Sequence, residues 1–246
     1  ERTRVDDKGE FVVRKPRREK WWQYAEVSLT LSRTIAEMNR VIVIPEVTKY
    51  TSFLISFTEL VFSHMLKVLV IDAFNKYSII QSSLHEYWSW KYASTMGGVG
   101  LRYTPTSVFE TFPFPQNLTP ETEGKLEEIG ERYYTHRQQL MQGVQLGLTK
   151  TYNLFHCKNL KEGLTAEEAA TIKDKDLTHL LKHLAATPGL IPFHDVAERI
   201  ITLRRLHREM DLAVLSAYGW DDIDPAHNFY EVDYLPENDR VRFTIS

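Results

Sequence analysis

The chain has a single cysteine, Cys157, in 246 residues. No intrachain disulfide can form, which fits a reducing, cytoplasmic setting. Long apolar runs are also missing. The most apolar region, Phe53 to Ile80, is interrupted by Glu59, His64, Lys67, Asp72, Asn75 and Lys76. That excludes a membrane-spanning helix, which needs about 20 apolar residues. The N-terminus, Glu1-Arg2-Thr3-Arg4-Val5, carries neither a signal peptide nor an initiator methionine, so the chain reads as a piece of something longer. Nucleotide loops are absent too. Gly97-Gly98-Val99-Gly100 has the wrong spacing for a dinucleotide fingerprint and follows a helix pattern instead of a strand. No Gly-x-x-x-x-Gly-Lys-Ser/Thr loop, Gly-x-Ser-x-Gly elbow or Asn/Asp-Pro-Pro-Tyr/Phe segment occurs. His179 and His183 share a helix face, but no third metal ligand accompanies them.

What is present describes a folded protein. Apolar residues make up 43% and aromatics 12%, enough for a substantial core. The net charge of −3 divides unevenly. Residues 1–110 sum to +3 and residues 111–246 to −6, so the first part is the better match for a polyanion.

The patterning predicts an α+β fold in two parts. Residues 1–117 form a mixed α/β domain that opens with a basic linker at 1–20. Residues 118–246 form a mostly helical domain with a short C-terminal strand pair. In the first part, Ser28 to Asn39 reads as a short helix and Val41-Ile42-Val43-Ile44 as a buried strand. Thr51–Phe57 and Lys67–Ile71 read as further strands, and Asn75 to Thr95 as one helix. Arg102 to Pro115 reads as an extended, proline-stiffened segment. In the second part, Thr119-Pro120 starts a helix running to about Gly147. Thr165-Ala166-Glu167-Glu168 is a capping box, and Asp176–Ala186 and His194–Tyr218 are helical. Phe229 to Ile245 holds one or two strands around Pro236-Glu237-Asn238-Asp239.

Candidate ligand-contacting residues concentrate in the first part. Arg14, Arg17 and Arg18 belong to five cations within seven positions, a run suited to phosphates and equally to a solvated linker. Lys49 and Tyr50 place a cation and a phenol on a connection between strands. His64 can hydrogen-bond a base edge or serve as a structural histidine. Ser82, with Gln81, can touch nucleic acid if exposed or cap a helix if not. Leu101 to Pro115 sets Arg102, Tyr103, Thr104, Thr106 and Ser107 before an aromatic and proline run, which gives a polar edge on a rigid mount.

Several blocks together resemble a known family. They are Trp22-Gln23-Tyr24-Ala25, Val43 to Tyr50, Phe62-Ser63-His64, Leu84-His85-Glu86-Tyr87-Trp88, and Arg102-Tyr103-Thr104-Pro105 leading into Phe109-Glu110-Thr111-Phe112-Pro113-Phe114-Pro115. Gly147 to His156, Leu206 to Asp211 and Tyr218 to Asp222 continue the likeness. In order and spacing they are similar to the C-terminal region of adenine-specific DNA methyltransferases of bacterial defence systems. Those include the type IIL (MmeI-like) restriction–modification enzymes and the methylases of DISARM-type phage exclusion. The resemblance implies a target-recognition domain that reads double-stranded DNA, with a helical support. It also implies an S-adenosylmethionine-dependent catalytic domain upstream, so no cofactor is expected within this chain. Partners beyond that domain would be DNA and other defence subunits. Docking of such a subunit by the acidic half is the competing expectation.

Overall fold

The computed structural model describes residues 4–5, 11–12, 29–96 and 100–246. The architecture is α+β, with nine helices and small antiparallel sheets among the described residues. Arg14, Arg17 and Arg18 of the basic run, together with Trp22 and Gly97, lie outside the described residues. A two-residue pairing joins β1 (Arg4–Val5) to β2 (Phe11–Val12), and α1 (Leu29–Ile35) follows.

Strand β3 (Arg40–Pro45) is the centre of a three-stranded sheet, flanked by β5 (Leu54–Phe57) and β6 (Leu66–Leu69). Val41, Ile42, Val43 and Ile44 are all buried because both faces of the sheet are covered. Alternate side chains of a strand point to opposite faces. Val41 and Val43 therefore meet Ile35, Leu31 and Phe62 on one side, and Ile42 and Ile44 enter the main core on the other. The β5–β6 connection, residues 58–65, crosses from one edge of this sheet to the other, with Phe62 packed against the outer face. A second sheet joins β4 (Val47–Thr48), β8 (Gly100–Arg102) and β7 (Ser94–Met96) in that order.

The helix expected over Asn75–Thr95 is two helices, α2 (Phe74–Gln81) and α3 (Ser83–Tyr92). Ser82 breaks them. Its backbone is extended, and its hydroxyl accepts from His85 N–H and donates to the Ile79 carbonyl. The neighbouring Ser83 N–H donates to Asp211 Oδ1 at 2.8 Å, which secures the start of α3. The segment Arg102–Pro115 is not extended throughout. Pro105 starts a helical turn, α4 (Pro105–Val108), because proline's fixed φ suits a first helical position. The aromatic run beyond it folds on itself: Phe112 and Phe114 meet edge to face at 5.3 Å, and Phe112 meets His85 at 4.5 Å.

Helix α5 (Pro120–Val144) starts at its Thr119 cap, as the sequence signals. It ends three residues before Gly147, where Gln145 turns left-handed, and α6 (Leu148–Phe155) begins a separate helix. Then come α7 (Ala166–Thr171) with its capping box, α8 (Lys175–Ala186), α9 (Phe193–Ala217) and the hairpin of β9 (Asn228–Glu231) with β10 (Val241–Thr244). Helix α5 makes the most extensive helix contacts, with α9 on one side and α2 on the other. One apolar core runs through both halves of the chain, joining Ile42, Tyr77 and Ile80 to Ile129, Tyr133, Leu140 and Ile200.

The α2–α5 crossing is close enough to require glycine. A Cβ at Gly130 would sit 2.5 Å from the Phe74 carbonyl oxygen and closer still to Ser78 Oγ. That hydroxyl donates to the Leu126 carbonyl and ties the two helices. Gly130→Ala should therefore force the helices apart and destabilise the protein by roughly 2–4 kcal/mol, read as a lower urea midpoint with the slope unchanged.

Candidate nucleic-acid interface

Glu46 sits between β3 and β4, at the step from the first sheet to the second. Its N–H donates to the Met65 carbonyl at 2.7 Å, and its own carbonyl accepts from Tyr103 N–H at 2.8 Å. This backbone clamp aims the side chain at two cations. Lys67, on β6, donates to Oε2 at 2.8 Å. Arg102, at the end of β8, brings both Nε and Nη2 to Oε1, each at 2.8 Å. Hydrogen bonds from Lys67 and Arg102 hold the Glu46 carboxyl below its ordinary range. The guanidinium is thus held along one edge while its side chain stays 52% exposed. A planar, edge-anchored guanidinium presents its remaining donors in a fixed direction, as bidentate recognition of a guanine edge or a phosphate requires.

The other expected residues are distributed differently. Thr106 and His64 are exposed, and Thr104 is half-buried with its hydroxyl turned to the Arg102 carbonyl. Tyr103 does not reach a ligand. It is fully buried, with its hydroxyl 3.0 Å from His85 Nε2, and burial raises its pKa. Burial pushes His85 down to about 3, so that imidazole is a neutral core group. Ser82 is 1% exposed and spent as a helix cap, and Gln81 is equally enclosed, donating to the Thr51 carbonyl and accepting from Phe53 N–H. Neither side chain can touch nucleic acid in this packing.

Lys49 and Tyr50 face a separate cleft of about 330 Å³, walled by α6, the start of α8 and β10. Lys49 pairs with Asp239 at 3.0 Å. Tyr50 is buried, donates to Asn153 Oδ1 at 2.6 Å and stacks on His156 at 5.2 Å. Its phenol is therefore occupied and does not offer a surface contact. Of the other residues that line this cleft, Arg242 lies in no motif, and His156 stood out only as the end of the Gly147–His156 block.

A buried cluster of Ser83, His207, Asp211 and His227 has the residue types of a nucleophilic triad. Its geometry is different. Ser83 Oγ lies 3.0 Å and Asp211 Oδ2 3.6 Å from the same atom, His207 Nε2, while His207 Nδ1 has no partner. A triad histidine uses one nitrogen for the hydroxyl and the other for the carboxylate. Asp211 also accepts from Ser83 N–H and lies 2.7 Å from His227 Nε2, so the cluster locks α3, α9 and the C-terminal segment together. Among the described residues, no group of three or more His, Cys, Asp or Glu side chains is placed to hold a metal ion. His183, one of the helical pair, is 2.8 Å from the Val144 carbonyl through Nε2. No helix among them is long and apolar enough to cross a membrane.

No protein-family model, curated protein or solved structure matches this chain.

Glu86, on α3, lies near Arg242. Burial pushes its carboxyl up to about 7, against the pull of Arg242. A carboxyl raised in the folded state is neutral at no cost below its unfolded value, and stability falls as pH climbs from there through about 7. Glu86→Gln should therefore match the parent near pH 4 and exceed it at pH 8 by about 1–3 kcal/mol, measured by urea unfolding at the two pH values.

Proposed function

We propose that the chain is the DNA-reading part of a larger S-adenosylmethionine-dependent adenine-N6 methyltransferase of a bacterial defence system. It binds duplex DNA along the edge that carries Arg102, Lys67, His64 and Thr106. Methyl transfer belongs to a domain upstream, since no cofactor loop or base-holding motif stands in this sequence. The observation that carries the reading is the Glu46–Arg102 contact. A carboxylate pinning a half-exposed arginine along one edge contributes little to stability at the surface, yet it sets the direction in which the free donors point. The order of sequence blocks shared with the methyltransferase family supports the same reading.

A second reading is a docking module for another subunit. It is favoured by the exposed apolar residues at the end of β5 and in the β5–β6 crossover, where Phe57, Leu60 and Val61 are 70%, 59% and 74% exposed, and by the −6 charge of the second half.

Selection from a randomised duplex pool, followed by fluorescence anisotropy at two salt concentrations, separates these readings. Binding should be sequence-dependent and weaken with salt. Arg102→Ala should relax preference at one base pair by about 1–3 kcal/mol, whereas Lys67→Ala should lower affinity about equally for all sequences. Glu46→Gln should blunt the same preference as Arg102→Ala while leaving the arginine in place. Capture of a partner subunit without DNA, and no sequence preference in the pool, would favour docking instead.

A further inference from the structure

Among the described residues, three arginines are more than nine-tenths buried: Arg137, Arg204 and Arg242. Two are fully used. Arg137 donates to Ser52 Oγ, Gln81 Oε1, the Tyr152 hydroxyl and the Phe53 carbonyl. Arg204 donates to the carbonyls of Leu154, Phe155, Cys157 and Leu160, which closes the C-terminal end of α6. Arg242 is different. Among the described residues its single hydrogen bond is a long one, 3.4 Å, to the carbonyl of its own neighbour Val241. Its Nη2 has no partner, and no described carboxylate forms an ion pair with it. The Tyr50 ring lies 5.0 Å from it, and Glu86 on α3 is near it without forming an ion pair. A buried guanidinium with unsatisfied donors is costly, and such groups are normally paired or satisfied by hydrogen bonds.

Arg242 lines the cleft that also holds Lys49, Tyr50 and His156. His156 Nδ1 accepts from Phe243 N–H at 3.1 Å, which places the ring proton on Nε2 and makes that nitrogen a donor. Three of the acids that line the cleft are already committed, and Glu237 lines it as well. Asp174 caps α8, accepting from the N–H groups of Asp176 and Leu177. Asp176 accepts from Asn153, and Asp239 pairs with Lys49 and Lys175. The cation left with unsatisfied donors in this cleft is the Arg242 guanidinium.

We infer that this cleft is a phosphate-binding site, in which Arg242 and the His156 Nε2–H hold the oxyanion and Lys49 closes over it. A guanidinium, an imidazole N–H and an ammonium converging from different elements match the several acceptors of a phosphate better than a single carboxylate edge. The cleft, at about 330 Å³, has room for a phosphate that is part of a larger molecule. The phosphate could belong to a nucleic-acid backbone or to a free nucleotide. The site stands apart from the Arg102 edge and does not rest on the DNA reading.

The test is a titration of the whole chain with inorganic phosphate, AMP and a short duplex at constant ionic strength. It is followed by thermal shift and by the imidazole NMR signal of His156. Inorganic phosphate should raise the melting temperature and move the His156 signal. If the duplex displaces phosphate the source is a backbone; if AMP does so and the duplex does not, the source is a free nucleotide. Arg242→Gln should lower phosphate affinity about tenfold or more, with Arg242→Lys between the two. Should Arg242→Gln fail to fold, the wild-type His156 signal still decides. Absence of any shift in the wild type, or phosphate binding undiminished in a folded Arg242→Gln protein, overturns the proposal. Arg102→Ala should leave the phosphate response intact, which separates failure of this site from failure of DNA reading.

Discussion

A single buried cation holds the two parts of this molecule together. Arg137 projects from the middle of α5 with no carboxylate partner among the described residues, and its hydrogen bonds reach three other parts of the chain. Ser52 and Phe53 belong to the connection entering β5, Gln81 ends α2, and Tyr152 lies on α6. The rings of Tyr77, Tyr133, Tyr134 and Tyr152 surround the guanidinium at 5.5–6.0 Å. Aromatic faces and neutral oxygens stand in for a counter-ion, which keeps the charge soluble in the core only while all of them are in place. The arrangement is demanding, and it sets the distance between the sheets and the helical layer.

The candidate interface depends on that frame. Glu46 can orient Arg102 only because two separate sheets meet at its peptide unit, and those sheets are backed by Ile44, Tyr103 and Phe53 in the common core. Phe53 meets Tyr103 edge to face at 5.6 Å and also gives its carbonyl to Arg137. The hub and the surface arginine are therefore two packed residues apart. The cleft at Arg242 depends on the frame in another way. It exists because the C-terminal hairpin returns to lie against Tyr50 and His156, nearly two hundred residues after Tyr50 in the chain.

Local signals were legible. The Thr119-Pro120 start of α5 and the Thr165 capping box are chemistry within one turn of chain, and both stand where the residues place them. The four-residue β-branched run at 41–44 is a buried strand for the reason its composition gives. The failures are equally informative. Ser82 looked available for a ligand because it is polar, and it is buried because α3 needs a cap and Asp211, far along the chain, holds its neighbour. Tyr103 looked like part of a polar edge, yet strand alternation turns it inward while Arg102 beside it turns out. The helical turn at Pro105 was hidden by prolines that also suit an extended chain.

The sequence by itself determined the capped starts of α5 and α7, the burial of the central strand and the lack of a nucleotide-loop motif, since each is set by residues within a few positions of one another. Tertiary structure alone decided which polar groups are free. Lys49, Tyr50, Ser82 and Arg102 are all polar residues in short loops or at element ends. Their fates differ because Asp239, Asn153, the α3 backbone and Glu46 reach them from other places in the chain. Partner choice for a polar side chain is a non-local energy balance between desolvation and pairing, and no window of sequence contains both sides of it.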